Sequence, residues 1–223
     1  MLKVFKDKVV KQQGLQRSGT NYTKFLLENN YDVKMMTRLK HQHYTSAKWN
    51  RGVDVFVTIK HPLAWLVSIR RQQMLASSGV SRDDGGGVPM YPPMGKHDSF
   101  SDWFQCEGKR LCDHWSDLNN GWLNISLVGV ISARYEDLLQ SPEEETERIA
   151  GENGWARTSD KFVIPLRNMG MGVEIAYQGG RSFDPSSYID QSYFDSFSDE
   201  DIELCKEHLD KDLMERFGYT FAR

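Results

Sequence analysis

The stretch that constrains this chain most is Gly14-Leu15-Gln16-Arg17-Ser18-Gly19-Thr20-Asn21-Tyr22. Val9-Val10 before it reads as a buried strand, and Tyr22 to Glu28 after it carries a helical pattern. A strand that turns through small residues into a helix presents several backbone N–H groups, and the positive end of a helix, to an anion. The competing reading is a plain strand-to-helix turn, with Gly19 supplying the geometry and Thr20 the cap.

The spacing Gly14-x4-Gly19-Thr20 copies the glycine frame of a Walker A loop, yet Thr20 stands where the phosphate-binding lysine belongs. Arg17, inside the loop, is the residue that can supply the missing charge. The result is a phosphate cradle that is a poor ATPase loop. Gln16-Arg17-Ser18-Gly19-Thr20-Asn21-Tyr22 resembles the 5′-phosphosulfate loop of sulfotransferases that use 3′-phosphoadenosine-5′-phosphosulfate (PAPS).

Two further stretches resemble the same family. In Ile59-Lys60-His61-Pro62-Leu63-Ala64-Trp65-Leu66-Val67-Ser68, the residues Lys60, Pro62 and Ser68 hold the places of the 3′-phosphate signature: a basic residue at a strand end, then proline, then serine in the following helix. Lysine replaces the more common arginine, which keeps the charge and loses the bidentate fork. Ala133-Arg134-Tyr135-Glu136-Asp137-Leu138-Leu139, followed by Ser141-Pro142-Glu143-Glu144, resembles the family's Tyr-Glu-Asp-Leu stretch and the helix behind it. Tyr135 then belongs near the adenine or ribose, or else in the core with its hydroxyl satisfied. Glu136 and Asp137 read as structural, and His61 as a residue that orients the Lys60 turn.

The resemblance implies direct in-line transfer of a sulfuryl group from PAPS to a hydroxyl or amine, leaving adenosine 3′,5′-bisphosphate (PAP). Arg17 is the candidate for the charge on the leaving oxygen, helped by the backbone N–H groups of Ser18 to Asn21. Transfer needs a base for the acceptor's proton, and imidazole titrates in the right range. His41 and His43, in Lys40-His41-Gln42-His43, are the candidates, with His41 favoured and an acidic residue as the rival. The expected cofactor contacts are Gln16, Arg17, Ser18, Gly19, Thr20, Asn21, Tyr22, Lys60, Ser68 and Tyr135. No HExxH or third ligand near His41-x-His43 calls for a metal.

The rest of the chain fits an α/β fold, with a central parallel sheet flanked by helices in a P-loop-like sulfotransferase architecture. Strands are expected over Tyr31–Met36, Val53–Ile59, Trp122–Ser132 and, short, Phe162–Ile164. Val53–Ile59 is nearly continuous in apolar character, as a strand covered on both faces must be. Helices are expected over Leu63–Ala76, from Ser99 through Trp115, from Ser141-Pro142 to about Asn153 with Gly154 as the stop, and from Asp199 to Phe217 before Gly218. Thr37 to Asn50 reads as strand end and loop. The glycine- and proline-rich segment 77–98 reads as a lid or substrate loop, and Asn168-Met169-Gly170-Met171-Gly172 as a second candidate gate. Gly179-Gly180-Arg181 is a weak candidate for a further cation.

With 223 residues and 39% hydrophobic content, one domain spanning 1–223 is expected. The net charge of −3 conceals an asymmetry: residues 1–71 carry 14 Lys+Arg against 4 Asp+Glu, and the remainder 14 against 27. A basic first third that holds a phosphate loop suits a small polyanion. No nucleic-acid-binding pattern accompanies it, so nucleic acid is not expected. No apolar run reaches membrane-spanning length, the N-terminus lacks a signal-peptide core, and three cysteines without a CxxC fit a reducing compartment. The expectation is a cytoplasmic enzyme acting on a small-molecule or glycan acceptor, with Trp49, Tyr91, Trp103 and Phe104 as candidate pocket walls. Two rival functions remain: a Mg²⁺-dependent nucleotide or small-molecule kinase, and a nucleotide-binding protein without a working base.

Overall fold

The computed structural model of the chain describes residues 8–37, 53–77, 99–126, 128–165 and 184–222. Its centre is a four-stranded sheet, every strand parallel to its neighbour, in the order β2-β1-β3-β4. The strands are β1 (Lys8–Gln13), β2 (Val33–Met36), β3 (Val55–Ile59) and β4 (Val130–Arg134). β3 is buried along its whole length, which is why Val-Phe-Val-Thr-Ile shows no alternation. The chain runs from β1 through α1 (Thr20–Asn30) to β2 on one side, then returns to place β3 on the other side of β1. That reversal makes the carboxyl ends of β1 and β3 a topological switch point, where open parallel sheets form a crevice.

Helices cover both faces, because each face of a parallel sheet must be shielded from water. One face carries Val10, Met35, Phe56 and Ala133, packed against Leu26 and Leu27 of α1, Leu138 of α4 (Tyr135–Gln140) and Ile149 of α5 (Pro142–Asn153). The other carries Val55, Val57 and Ile59, packed in one cluster with residues of α2 (Pro62–Ser77), α3 (Phe100–Leu123), α7 (Asp199–His208) and α8 (Lys211–Arg216). A four-residue helix, α6 (Ser186–Ile189), and a 3-10 turn over Ser192–Ser196 complete the described elements.

The α/β class and the parallel central sheet match the expectation from sequence, and three element assignments are corrected. Trp122 and Leu123 close a 24-residue helix rather than open a strand, leaving only Val130–Arg134 for β4. Leu111, Trp115, Leu118 and Trp122 continue one helical face, and all four are buried. Phe162–Ile164 forms no strand. The Asn30 side chain takes a neighbouring strand's part, accepting from the Val163 N–H at 2.7 Å and donating to its carbonyl at 2.9 Å. The C-terminal helix breaks at Leu209, where Asp210 starts α8 by accepting from the Leu213 N–H at 2.8 Å. Pro142 begins α5 and Gly154 ends it in the left-handed region, φ 63°, as the sequence indicated.

Candidate anion-binding site at the switch point

The loop between β1 and α1 is held from inside by its own polar groups. Both the Ser18 N–H and its hydroxyl donate to the Leu15 carbonyl, at 3.0 and 2.7 Å. The Gln12 amide donates to the Thr20 carbonyl at 2.6 Å, so a fully buried glutamine in a central strand fixes the start of α1. From α2, the Trp65 indole donates to the Gln16 carbonyl at 2.9 Å. These contacts make the loop a rigid turn. Ser18 turns its hydroxyl inward, whereas Arg17 is exposed and sits in the left-handed region, φ 74°.

Gly19 occupies the N-cap of α1 at φ 87°, with no side chain capping the helix and no acidic residue in the first turn. The α1 N-terminus therefore carries the partial positive charge that suits an anion. A Cβ at Gly19 would lie 2.1 and 2.2 Å from two ring carbons of Tyr135. Glycine is required there both by the backbone angle and by the ring laid against it. Tyr135 is buried, edge-on to Tyr22 at 5.9 Å and to Tyr188 of α6 at 5.6 Å between ring centres.

Lys60 follows β3 and brings the second motif against the first. Its Nζ donates to Ser68 Oγ at 2.8 Å and to the Arg17 carbonyl at 3.4 Å. It also lies 4.0 Å from the centre of the Tyr188 ring and 5.3 Å from that of Tyr135. Lys60 is only 2% exposed, and this burial pulls its pKa down, partly countered by Tyr188 and Glu136. Burial is the largest single influence on the Tyr188 phenol and acts to raise its pKa, but the Lys60 ammonium, Ser68 and Arg17 together outweigh it and bring the phenol down to about 8.

The Lys60 turn is fixed by a second set of hydrogen bonds. The Glu136 carboxylate accepts from the His61 N–H at 2.9 Å and from the Tyr219 hydroxyl at 3.0 Å. The Leu63 N–H donates to His61 Nδ1 at 3.2 Å, so the proton sits on Nε2, which donates to the Thr220 carbonyl at 3.1 Å. Burial lowers the His61 pKa to about 4. A neutral imidazole with both nitrogens engaged orients the turn, as the sequence suggested, and is no general base. The Trp115 indole donates to the Lys60 carbonyl at 3.1 Å.

Gln16, Arg17, Ser18, Gly19, Thr20, Asn21, Tyr22, Lys60, Ser68 and Tyr135 thus converge from the loop, a strand end and the helices α1, α2 and α4. His41 and His43 lie outside the described residues, as do 78–98, Asn168–Gly172, Gly179–Arg181, Trp49 and Tyr91. Trp103 and Phe104 are fully buried in the core. Sequence reasoning missed Tyr188, although Asp184-Pro185-Ser186 ahead of it is a helix-start signal, with Asp184 accepting from the Ser186 N–H at 2.9 Å. It also missed Gln12 and Trp65, whose loop contacts leave no periodic trace.

Elsewhere, a depression of about 700 Å³ between α3 and α7 is lined by Asp199, Glu200, Glu203 and Glu207 with Gln105, Leu204 and Lys206. Its charge opposes a polyanion, and none of the loop residues borders it. Among the described residues, no group of three or more His, Cys, Asp or Glu is placed to hold a metal ion, and no helix is long and apolar enough to cross a membrane. No protein-family model, curated protein or solved structure matches the chain, so the case for this site rests on its own geometry.

Proposed function

We propose that the chain is a sulfotransferase that moves a sulfuryl group from PAPS to an acceptor hydroxyl or amine. The observation that carries the reading is the meeting, at adjacent strand ends, of the β1 loop and the Lys60–Ser68 pair, each of a chemistry that suits an anion. The β1 loop offers helix N–H groups and the Arg17 guanidinium, while the Lys60–Ser68 pair stands beside it, 3.4 Å from the loop's own backbone. A donor with one phosphate-borne sulfuryl group and a separate 3′-phosphate has the two charged ends that such a pair of subsites fits.

In this reading Arg17 and the α1 N-terminus offset charge on the leaving phosphate oxygen. Lys60 and Ser68 hold the 3′-phosphate, and Tyr135 flanks the nucleoside. The acceptor oxygen or nitrogen attacks sulfur as the sulfur–oxygen bond to the phosphate breaks. PAP leaves, and the acceptor's proton passes to a base, for which His41 remains the first candidate and His43 the second. The protein is proposed to act in the cytoplasm on a small-molecule or glycan acceptor, without a metal.

The test is a thermal-shift titration with PAP, ADP and ATP, each with and without Mg²⁺. Ligand at about a hundred times its dissociation constant adds roughly 2.7 kcal/mol, a readily measured rise in melting temperature. The expected result is a metal-independent shift, largest for PAP. A shift with ATP and Mg²⁺ alone would overturn the proposal and favour a kinase, for which the glycine frame of the loop is the supporting feature. PAP binding without turnover over a broad acceptor panel would favour a nucleotide-binding protein lacking a base.

A further inference from the structure

Lys60 is the cation assigned above to a phosphate, yet the chain's packing leaves it no direction from which a phosphate can reach it. An ammonium has three N–H directions. Two point at Ser68 Oγ and the Arg17 carbonyl, and the face of Tyr188 lies 4.0 Å away. A charge-assisted hydrogen bond to phosphate needs an oxygen at about 2.7–2.9 Å, inside the space that ring covers. The Tyr188 hydroxyl also reaches Ser68 Oγ, at 3.4 Å, so one phenol engages both members of the pair. Lys60 and Ser68 are accordingly only 2% and 6% exposed.

We infer that Tyr188 competes with the anion for Lys60 and Ser68, and that an incoming phosphate monoester must lift the phenol off the ammonium to bind. This inference rests on the reading of Lys60 and Ser68 as a phosphate subsite. The phenol is a weaker partner than an anion: Lys60, Ser68 and Arg17 lower its pKa against its burial, but only to about 8, so it stays mostly neutral at pH 7. The ionisable groups around this contact are Lys60 and Arg17 from the loops, with Tyr135 and Glu136 from α4. The element bearing Tyr188 is suited to move, since α6 has four residues and none of them is fully buried. A dianionic phosphate interacts with the same donors more strongly than a neutral phenol does, which supplies the exchange. The observed affinity is then the intrinsic affinity multiplied by the fraction of molecules with Tyr188 displaced. Tyr188 thus lowers the affinity of every anion at the subsite by the same factor, so that only an intrinsically tight one occupies it at a given concentration.

The test is calorimetric titration of the full chain with PAP, comparing the unaltered protein with Tyr188→Ala and Tyr188→Phe. Tyr188→Ala should bind PAP about tenfold tighter, the scale of one cation–aromatic contact with a weak hydrogen bond. Tyr188→Phe keeps the ring and should stay within about threefold of the unaltered chain. Lys60 acetylation by acetic anhydride, read by mass spectrometry, should accelerate in Tyr188→Ala and slow again when PAP is added. If Tyr188→Ala melts below the assay temperature, Tyr188→Leu carries the same comparison. Equal or weaker PAP binding by the truncated variant, with the unaltered chain binding, would overturn the competition alone. Absence of PAP binding in every variant would overturn the phosphate-subsite reading and this inference with it.

Discussion

Replacing Gly19 by alanine tests whether the loop and Tyr135 are as tightly fitted as the geometry indicates. The new Cβ would stand 2.1 Å from one ring carbon of Tyr135 and 2.2 Å from another, well inside contact distance. Tyr135 is buried, with Tyr22 edge-on to its ring, so in the unliganded chain the ring can retreat only by displacing its neighbours. Holding a non-glycine residue at φ 87° adds about 1–2 kcal/mol, and overpacking typically adds about 1–3 kcal/mol. Gly19→Ala should therefore destabilise the fold by about 2–5 kcal/mol. For a chain of this size that is a fall in melting temperature of roughly 4–20 °C. Urea unfolding followed by tryptophan fluorescence reads it directly, with Tyr135→Ala and the double variant completing a cycle. The clash should disappear in the double variant, so its destabilisation falls short of the two singles added together. A Gly19→Ala chain within about 0.5 kcal/mol of the unaltered protein would refute the close approach.

Two other perturbations address the supports of the site and the break in the C-terminal helix. His61 is held at about 4, below the ordinary histidine value of about 6.5, so the unfolded chain takes up its proton first as pH falls. Its contribution to stability should be fully present above pH ~6.5 and decline towards pH ~4, by up to roughly 3 kcal/mol. His61→Asn should flatten that part of a denaturation-versus-pH curve, and an unchanged slope would contradict the assignment. Asp210→Ala removes the cap of α8 and should lower stability by about 1 kcal/mol in urea unfolding. Asp210→Asn, which retains an accepting oxygen, should recover most of it.

The parts of the fold legible in the sequence were those written in local periodicity or in a special residue. The continuous Val55–Ile59 run identified a strand buried on both faces, and Pro142 with Gly154 bracketed a helix. The loop and the Lys60–Ser68 spacing were legible as a candidate site because an anion cradle would need particular small and basic residues in order. What failed depended on partners distant in sequence. Trp122-Leu123 is a short apolar run that suits strand or helix until Trp115 and Leu118 are seen to share its face. Phe162–Ile164 has the residues of a strand, but the Asn30 side chain takes the neighbour's place. Asp210 looked like one more acidic residue on a helix and proved to be a cap, its own N–H donating to Ser116 Oγ at 3.0 Å.

The site divides in the same way. Lys60 was identifiable as a cation at a strand end, whereas its burial and the tyrosine over it depend on chain more than a hundred residues later. Glu136 was rightly expected to be structural, but its link between the His61 backbone and the Tyr219 hydroxyl appears only in three dimensions. Gln12 and Gln13 remain notable: each is buried, and each has a side-chain oxygen with no hydrogen-bond partner among the described residues.

The most direct measurement of the central claim compares PAP with adenosine 5′-monophosphate by calorimetry, in the unaltered chain and in Lys60→Gln. The two ligands differ by the 3′-phosphate that Lys60 and Ser68 are proposed to hold. The account predicts that the unaltered chain binds PAP tighter by about tenfold or more, the scale of one charge-assisted contact, and that Lys60→Gln loses most of the difference while retaining the monophosphate affinity. Equal affinity for the two ligands in the unaltered chain, or a preference for PAP that survives in Lys60→Gln, would contradict it.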